Sequence, residues 1–219
     1  MSRLVHLLFV TVSLLQDNSR WMMWNLFLAI VPLALSVWLF RGKKTKAKRS
    51  IVWVLGCLAF VAFLPNAPYV LTDLIHLVTD IRNDVTSKWL ISAVLIPQYL
   101  LFMLIGFEAY VISVINTGHY MRQQGWGKYI FWMEIAMHGL NAIGVYLGRF
   151  LRLNSWDLLT RPNAVVNGVV DELLSKRPLL VMVAFFLFIT VLYWLLKQVT
   201  LAIAAYRSTP QHPSTVMEP

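Results

Sequence analysis

Leu64-Pro65-Asn66-Ala67-Pro68-Tyr69-Val70-Leu71-Thr72-Asp73-Leu74-Ile75-His76 closes a stretch that carries no charged residue from Ser50 to Thr72. That stretch is long enough to cross a bilayer. Its second half nevertheless holds two prolines, an amide, a phenol, a carboxylate and an imidazole. Such groups are costly in hydrocarbon and normally face the interior of a helix bundle or its mouth. The reading is a membrane protein with an internal polar site.

The rest of the chain agrees. Its 219 residues are 58% hydrophobic and only 13% charged, with a mean hydropathy of +0.65. Soluble domains carry about 25% charged residues. The expected class is therefore all-α, a polytopic transmembrane bundle. Five clear spans run over Trp21–Phe40, Ile51–Thr72, Trp89–Ile115, Tyr129–Gly148 and Pro178–Leu196, with a short N-terminal one over Leu4–Gln16. Residues 1–207 are expected to form a single domain and 208–219, rich in Pro, Ser and Thr, a disordered tail. Gln16–Arg20 would separate the first two spans, with Asp17, Asn18 or Ser19 capping the second. Val165, Val166, Val169, Val170, Leu173 and Leu174 give Asn163–Lys176 one apolar side, as in an interfacial amphipathic helix.

The net charge of +9 is largely local. Arg41, Lys43, Lys44, Lys46, Lys48 and Arg49 share one short loop without an acid. This is a topology signal that places the loop in the cytoplasm, and a contact for membrane lipids, anionic ones included. It does not indicate a nucleic-acid partner. Cys57 is the single cysteine, which excludes an intrachain disulfide.

Two polar faces carry the functional reading. Pro65 and Pro68 lack amide hydrogens, so the helix should break there, with Asn66 capping the piece that follows. Tyr69, Asp73 and His76 then stack at i, i+4 and i+7. In the fourth span Glu134, His138, Asn141, Arg149 and Arg152 fall within an arc of roughly 80°, and Gly144 and Gly148 allow close approach of a neighbour. Depth divides these residues. An outer cluster would comprise Tyr69, Asp73, His76, Arg149, Arg152 and Asp157. Glu108 and Glu134 would form an inner pair sharing a proton or cation, with His138 between the levels.

In the outer cluster Asp73 and His76 are the candidate catalytic proton-handling groups. Asn66, Tyr69, Arg149, Arg152 and Asp157 would bind substrate, the arginines as planar forks for phosphate or carboxylate. Glu108, Glu134 and His138 are the candidate relay or cation residues. No metal site is assigned, because Asp73/His76 and Glu134/His138 offer ligands at different depths, and no cofactor is identified.

LPNAPYVLTDLIHL at 64–77, WNLFLA at 24–29 with Pro32, and GVYLGRF at 144–150 running into NSWD at 154–157 resemble a bacterial membrane-protein family, domain of unknown function thirteen-sixty-one. The resemblance extends over roughly Trp21 to Tyr206. It implies a multi-pass protein of the bacterial cytoplasmic membrane and brings no activity, substrate or cofactor. The function expected from the residues is an outward-facing polar site that binds or modifies an anionic head group or small polar molecule. A proton- or cation-coupled transporter and a noncatalytic membrane assembly partner are the alternatives.

Overall fold

The computed structural model describes residues 3–41, 50–83, 91–152, 157–163, 165–167, 170 and 176–208. Every element among them is helical. Helix α1 covers Arg3–Phe40, α2 Ile51–Phe63, α3 Asn66–Tyr69, α4 Leu74–Asn83, α5 Ile96–Gln123, α6 Ile130–Phe150, α7 Asp157–Thr160 and α8 Lys176–Ser208. A 3-10 turn, Val70–Asp73, joins α3 to α4, and a wider π-type turn, Ile91–Leu95, leads into α5. Five segments are long and apolar enough to cross a membrane: Asn18–Phe40, Ile51–Arg82, Ile91–Gln123, Gly127–Phe150 and Lys176–Ser208. The chain is a multi-pass helical membrane protein.

The amino-terminal expectation needs correction. No turn separates Leu4–Gln16 from the span at Trp21, and positions 17–19 lie within a helix and not at its start, because α1 is one helix of 38 residues. Gln16–Arg20 holds neither glycine nor proline, so polarity alone does not interrupt the backbone hydrogen bonds. The Asn18 amide instead donates to Asp80 at 3.0 Å. At 1.5 Å per residue α1 measures about 57 Å, nearly twice a bilayer core of about 30 Å. Residues 3–17 continue α1 beyond Asn18–Phe40, the part of it that is long and apolar enough to cross.

Helix α5 is the axle. Tyr99, Phe107, Tyr110, Val111 and Val114 on it are fully buried, whereas the other spans bury one face each. It packs most extensively on α1 and also touches α2's continuation, α6 and α8. The apolar side chains exposed on α2 and α8, such as Leu55, Leu58, Leu187 and Val191, form the lipid-facing surface. Helix α5 ends where Gly125 adopts φ +83°, with Trp126 N–H on the Met121 carbonyl at 2.9 Å and Gly125 N–H on Arg122 at 3.1 Å. Those two bonds satisfy carbonyls that a helix end leaves free.

The proline pair breaks the second crossing, as its chemistry requires. The Ala67 amide shifts to the Leu64 carbonyl at 3.2 Å, filling the place Pro68 cannot take. That shift frees the Phe63 carbonyl, which accepts the Asn66 side-chain amide at 2.8 Å. Asn66 thus repairs the break by donating and is not an N-cap. Pro65 takes the capping position, with no side-chain bond there. On the facing helix, a Cβ at Gly144 would stand 2.6 Å from Pro65 Cγ. Only a glycine lets α6 meet the broken segment this closely. Most of Asn163–Lys176 and all of 209–219 lie outside the described residues, as do 42–49 of the basic loop.

Candidate functional site

The short helix α3 that follows the break packs on α6, and an ionic cluster joins the 3-10 turn to the end of α6. Arg149 donates through Nη1 to Asp73 Oδ1 at 3.2 Å and to the Tyr69 hydroxyl at 3.4 Å. Its Nη2 donates to the Thr72 carbonyl at 3.2 Å. The guanidinium also lies 5.8 Å from the Tyr69 ring centroid. Asn25 of α1 completes the carboxylate, donating to Asp73 Oδ2 at 3.0 Å. His76 Nε2 stands 3.8 Å from Asp73 Oδ1, within ion-pair range but beyond a hydrogen bond. Asp73 is 1% exposed, Arg149 20% and His76 50%. The cluster therefore runs from a buried carboxylate outward to a partly exposed guanidinium and a half-exposed imidazole.

Tyr69, Asp73, His76 and Arg149 are thus brought together, joined by Asn25 and Thr72. The remaining candidates stand apart. Asn66 is spent on the Phe63 carbonyl. Asp157 is buried against Arg161 at 2.8 Å, not against Asp73. Arg152 is exposed just past α6, with a left-handed φ of 55°. It occupies the position that Gly125 holds after α5, a conformation unfavourable for residues other than glycine.

A neighbouring cluster extends the same face of α4. Asp80 accepts from Asn18 at 3.0 Å and from the Tyr99 hydroxyl at 2.8 Å. Trp21 packs between them, its ring 5.1 Å from that of His76 and 5.9 Å from that of Tyr99. Asp80 is seven residues beyond Asp73, so extending the helical period would have found it.

The inner acids do not pair with each other. Glu134 accepts from Tyr193 at 2.8 Å and from Lys197 at 2.5 Å. Glu108 accepts from Thr200 at 2.6 Å. Tyr193, Lys197 and Thr200 lie at i, i+4 and i+7 on α8, so a single stripe of the last helix holds both carboxylates separately. His138 is buried, with Nδ1 2.5 Å from the Tyr110 hydroxyl and its ring 4.6 Å from that of Tyr193. Lys197 is the only charged residue from Pro178 to Tyr206, so the sequence itself marks it as a group that needs a partner inside the bundle. Near the basic loop a third link runs from Arg41 to Asn116 at 2.7 Å and from Asn116 to Ser36 at 2.9 Å. Among the described residues no three His, Cys, Asp or Glu side chains converge as metal ligands.

Beside Arg149, between α6 and α8, lies a cavity of about 40 Å³ whose other walls include Thr72, Val145, Tyr146, Met182 and Phe185. The sequence profile of the family described as "Protein of unknown function (DUF1361)" matches residues 24–191. The chain belongs to this family. No curated protein and no solved structure matches it. The stretch that defines the family contains Asn25, Tyr69, Asp73, His76 and Arg149 together, and it ends before Lys197 and Thr200.

Proposed function

We propose that this membrane protein holds an anionic group, a phosphate or carboxylate, at the Asp73–His76–Arg149 cluster, and that it binds or modifies a head group or small polar molecule there. One observation carries the reading: Arg149 is fixed by three partners along one side while a fifth of its side chain stays accessible. A guanidinium oriented in advance loses little freedom on taking a second oxyanion. Asp73 fixes the fork, and His76, half exposed beside it, supplies an imidazole as candidate proton donor or acceptor. With the 42–49 loop in the cytoplasm, this end of the bundle faces outward.

Cation-coupled transport draws less support, because Glu134 already carries the ammonium of Lys197. The test uses purified protein with two probes, short-chain phosphatidylglycerol and glycerol 3-phosphate. At a probe concentration ten times Kd, binding stabilises by about 1.4 kcal/mol. At least one probe should raise the unfolding midpoint, and His76→Gln, at an exposed position, should weaken that rise several-fold. Absence of any rise with either probe refutes the proposal.

A further inference from the structure

We infer that the ligand is a zwitterion, a phosphate joined by a short bridge to an ammonium as in a phosphoethanolamine group, and that Asp80 holds its cationic end. This rests on the anion-site reading above and adds the second half of the ligand. Three observations converge on it.

First, Asp80 is a carboxylate fixed in place with one oxygen to spare. Its Oδ2 accepts both the Asn18 amide at 3.0 Å and the Tyr99 hydroxyl at 2.8 Å, and no other group among the described residues donates to it. Both donors are neutral. Asp73, Asp157 and Glu134 each meet an arginine or a lysine. Asp80, partly buried and three residues before the end of α4, meets no basic side chain among the described residues. A carboxylate already oriented by neutral donors loses little freedom on taking an ammonium, and the bond it forms is charge-assisted.

Second, Asp80 and the anion site share one face. Asp73, His76 and Asp80, at i, i+3 and i+7, fall within an arc of about 60°. The contacts between them are continuous. His76 stands 3.8 Å from Asp73, and the Trp21 ring lies 5.1 Å from that of His76 and 5.9 Å from that of Tyr99, which bonds Asp80. Trp21 is itself partly exposed. An indole beside a carboxylate suits an organic ammonium, whose charge the ring face attracts. It does not suit a metal ion, since no three ligating side chains converge among the described residues.

Third, the spacing sets the length of the ligand. Seven residues of helix put Asp80 about 10 Å beyond Asp73 and the Arg149 beside it. A charge-assisted hydrogen bond at each end takes up about 2.8 Å, which leaves about 5 Å between the anionic and cationic centres. An α-amino acid, with its charges on adjacent carbons, is too short to reach both. An ethylene bridge between phosphate and ammonium spans the gap. His76, half exposed, then lies beside that bridge.

The experiment titrates the purified full chain in detergent with O-phosphoethanolamine, its N-acetyl derivative, glycerol 3-phosphate and short-chain phosphatidylethanolamine, read by calorimetry. The unaltered protein should bind O-phosphoethanolamine about tenfold more tightly than the N-acetyl derivative or glycerol 3-phosphate. That comparison changes the ligand and leaves the fold untouched. Asp80→Asn, which keeps an acceptor for Tyr99, should erase the preference and leave the affinity for glycerol 3-phosphate within about twofold. Arg149→Gln should weaken binding of every probe. Tighter binding of the lipid than of its free head group would assign the ligand to the membrane, and the reverse order to the aqueous side; the preference for the ammonium supports the inference in either case. Equal affinity for O-phosphoethanolamine and its N-acetyl derivative, or a preference that survives Asp80→Asn, would overturn it, and binding of glycerol 3-phosphate would then leave the anion site standing. If no probe binds, the underlying reading falls as well.

Discussion

Two glycines on α6, five residues apart, should respond to the same substitution with opposite signs. At Gly139 nothing lies within 4 Å of an added Cβ. Gly139→Ala then gains only the helix-propensity difference, up to about 1 kcal/mol. At Gly144 the added Cβ would meet Pro65 Cγ at 2.6 Å and Cβ at 2.8 Å, whereas ordinary contact begins at 3.4 Å. The helices must separate by about 0.8 Å (3.4 − 2.6). A proline ring has no alternative rotamer that clears the space, so the backbone must move. Overpacking of this kind costs about 1–3 kcal/mol, which outweighs the propensity gain. The displacement also reaches the ionic cluster, because the Tyr69 amide is bonded to the Pro65 carbonyl at 3.0 Å and Asp73 follows four residues later. The propensity gain is common to both variants, so they differ by the packing cost alone, and at about 2–4 °C per kcal/mol for a chain of this size their unfolding midpoints should differ by roughly 2–12 °C. Tryptophan fluorescence during a thermal ramp reads this directly, since the chain has nine tryptophans. If Gly144→Ala melts at or above Gly139→Ala, the close approach of α6 to the proline break is not real and the geometry derived from it fails.

Glu134→Gln should strand the Lys197 ammonium and cost about 3 kcal/mol, the low end for a broken buried pair because Lys197 is partly exposed. Adding Lys197→Met should restore the unfolding midpoint to within about 1 kcal/mol of wild type, and a merely additive double variant would contradict the pairing. Arg152→Gly should stabilise by about 1 kcal/mol by relieving the left-handed backbone; a lower midpoint would show that the residue is not strained. In a Cys57→Ala background, Val12→Cys and Tyr206→Cys, both at exposed positions, should react with a membrane-impermeant thiol reagent from opposite sides of sealed vesicles. Labelling of both from one side would restore a sixth crossing.

Much of the fold was legible because membrane crossing is a property of local composition. An uncharged run of sufficient length must be helical in hydrocarbon, whatever its neighbours are. The break at Pro65 and Pro68 was legible for a similar reason, since a missing amide hydrogen is a covalent fact. So was the polar stripe of α6, which a fixed period of 3.6 residues reveals. The amino-terminal turn was misjudged because Gln16–Arg20 is polar without being helix-breaking, and α4 supplied Asp80 as a partner for Asn18.

The sequence by itself determined the class, the crossings and the helix edges that must avoid lipid, because each follows from groups within a few residues of one another. Only the tertiary structure decided the pairings. Asp73 meets Arg149 and Asn25, Glu134 meets Lys197 instead of Glu108, and Asp157 meets Arg161. A charge in a membrane needs a counterpart, but periodicity fixes only the direction in which it points. Which helix stands opposite depends on how closely the neighbours approach, and here that distance was decided by the missing side chain at Gly144 against the ring of Pro65.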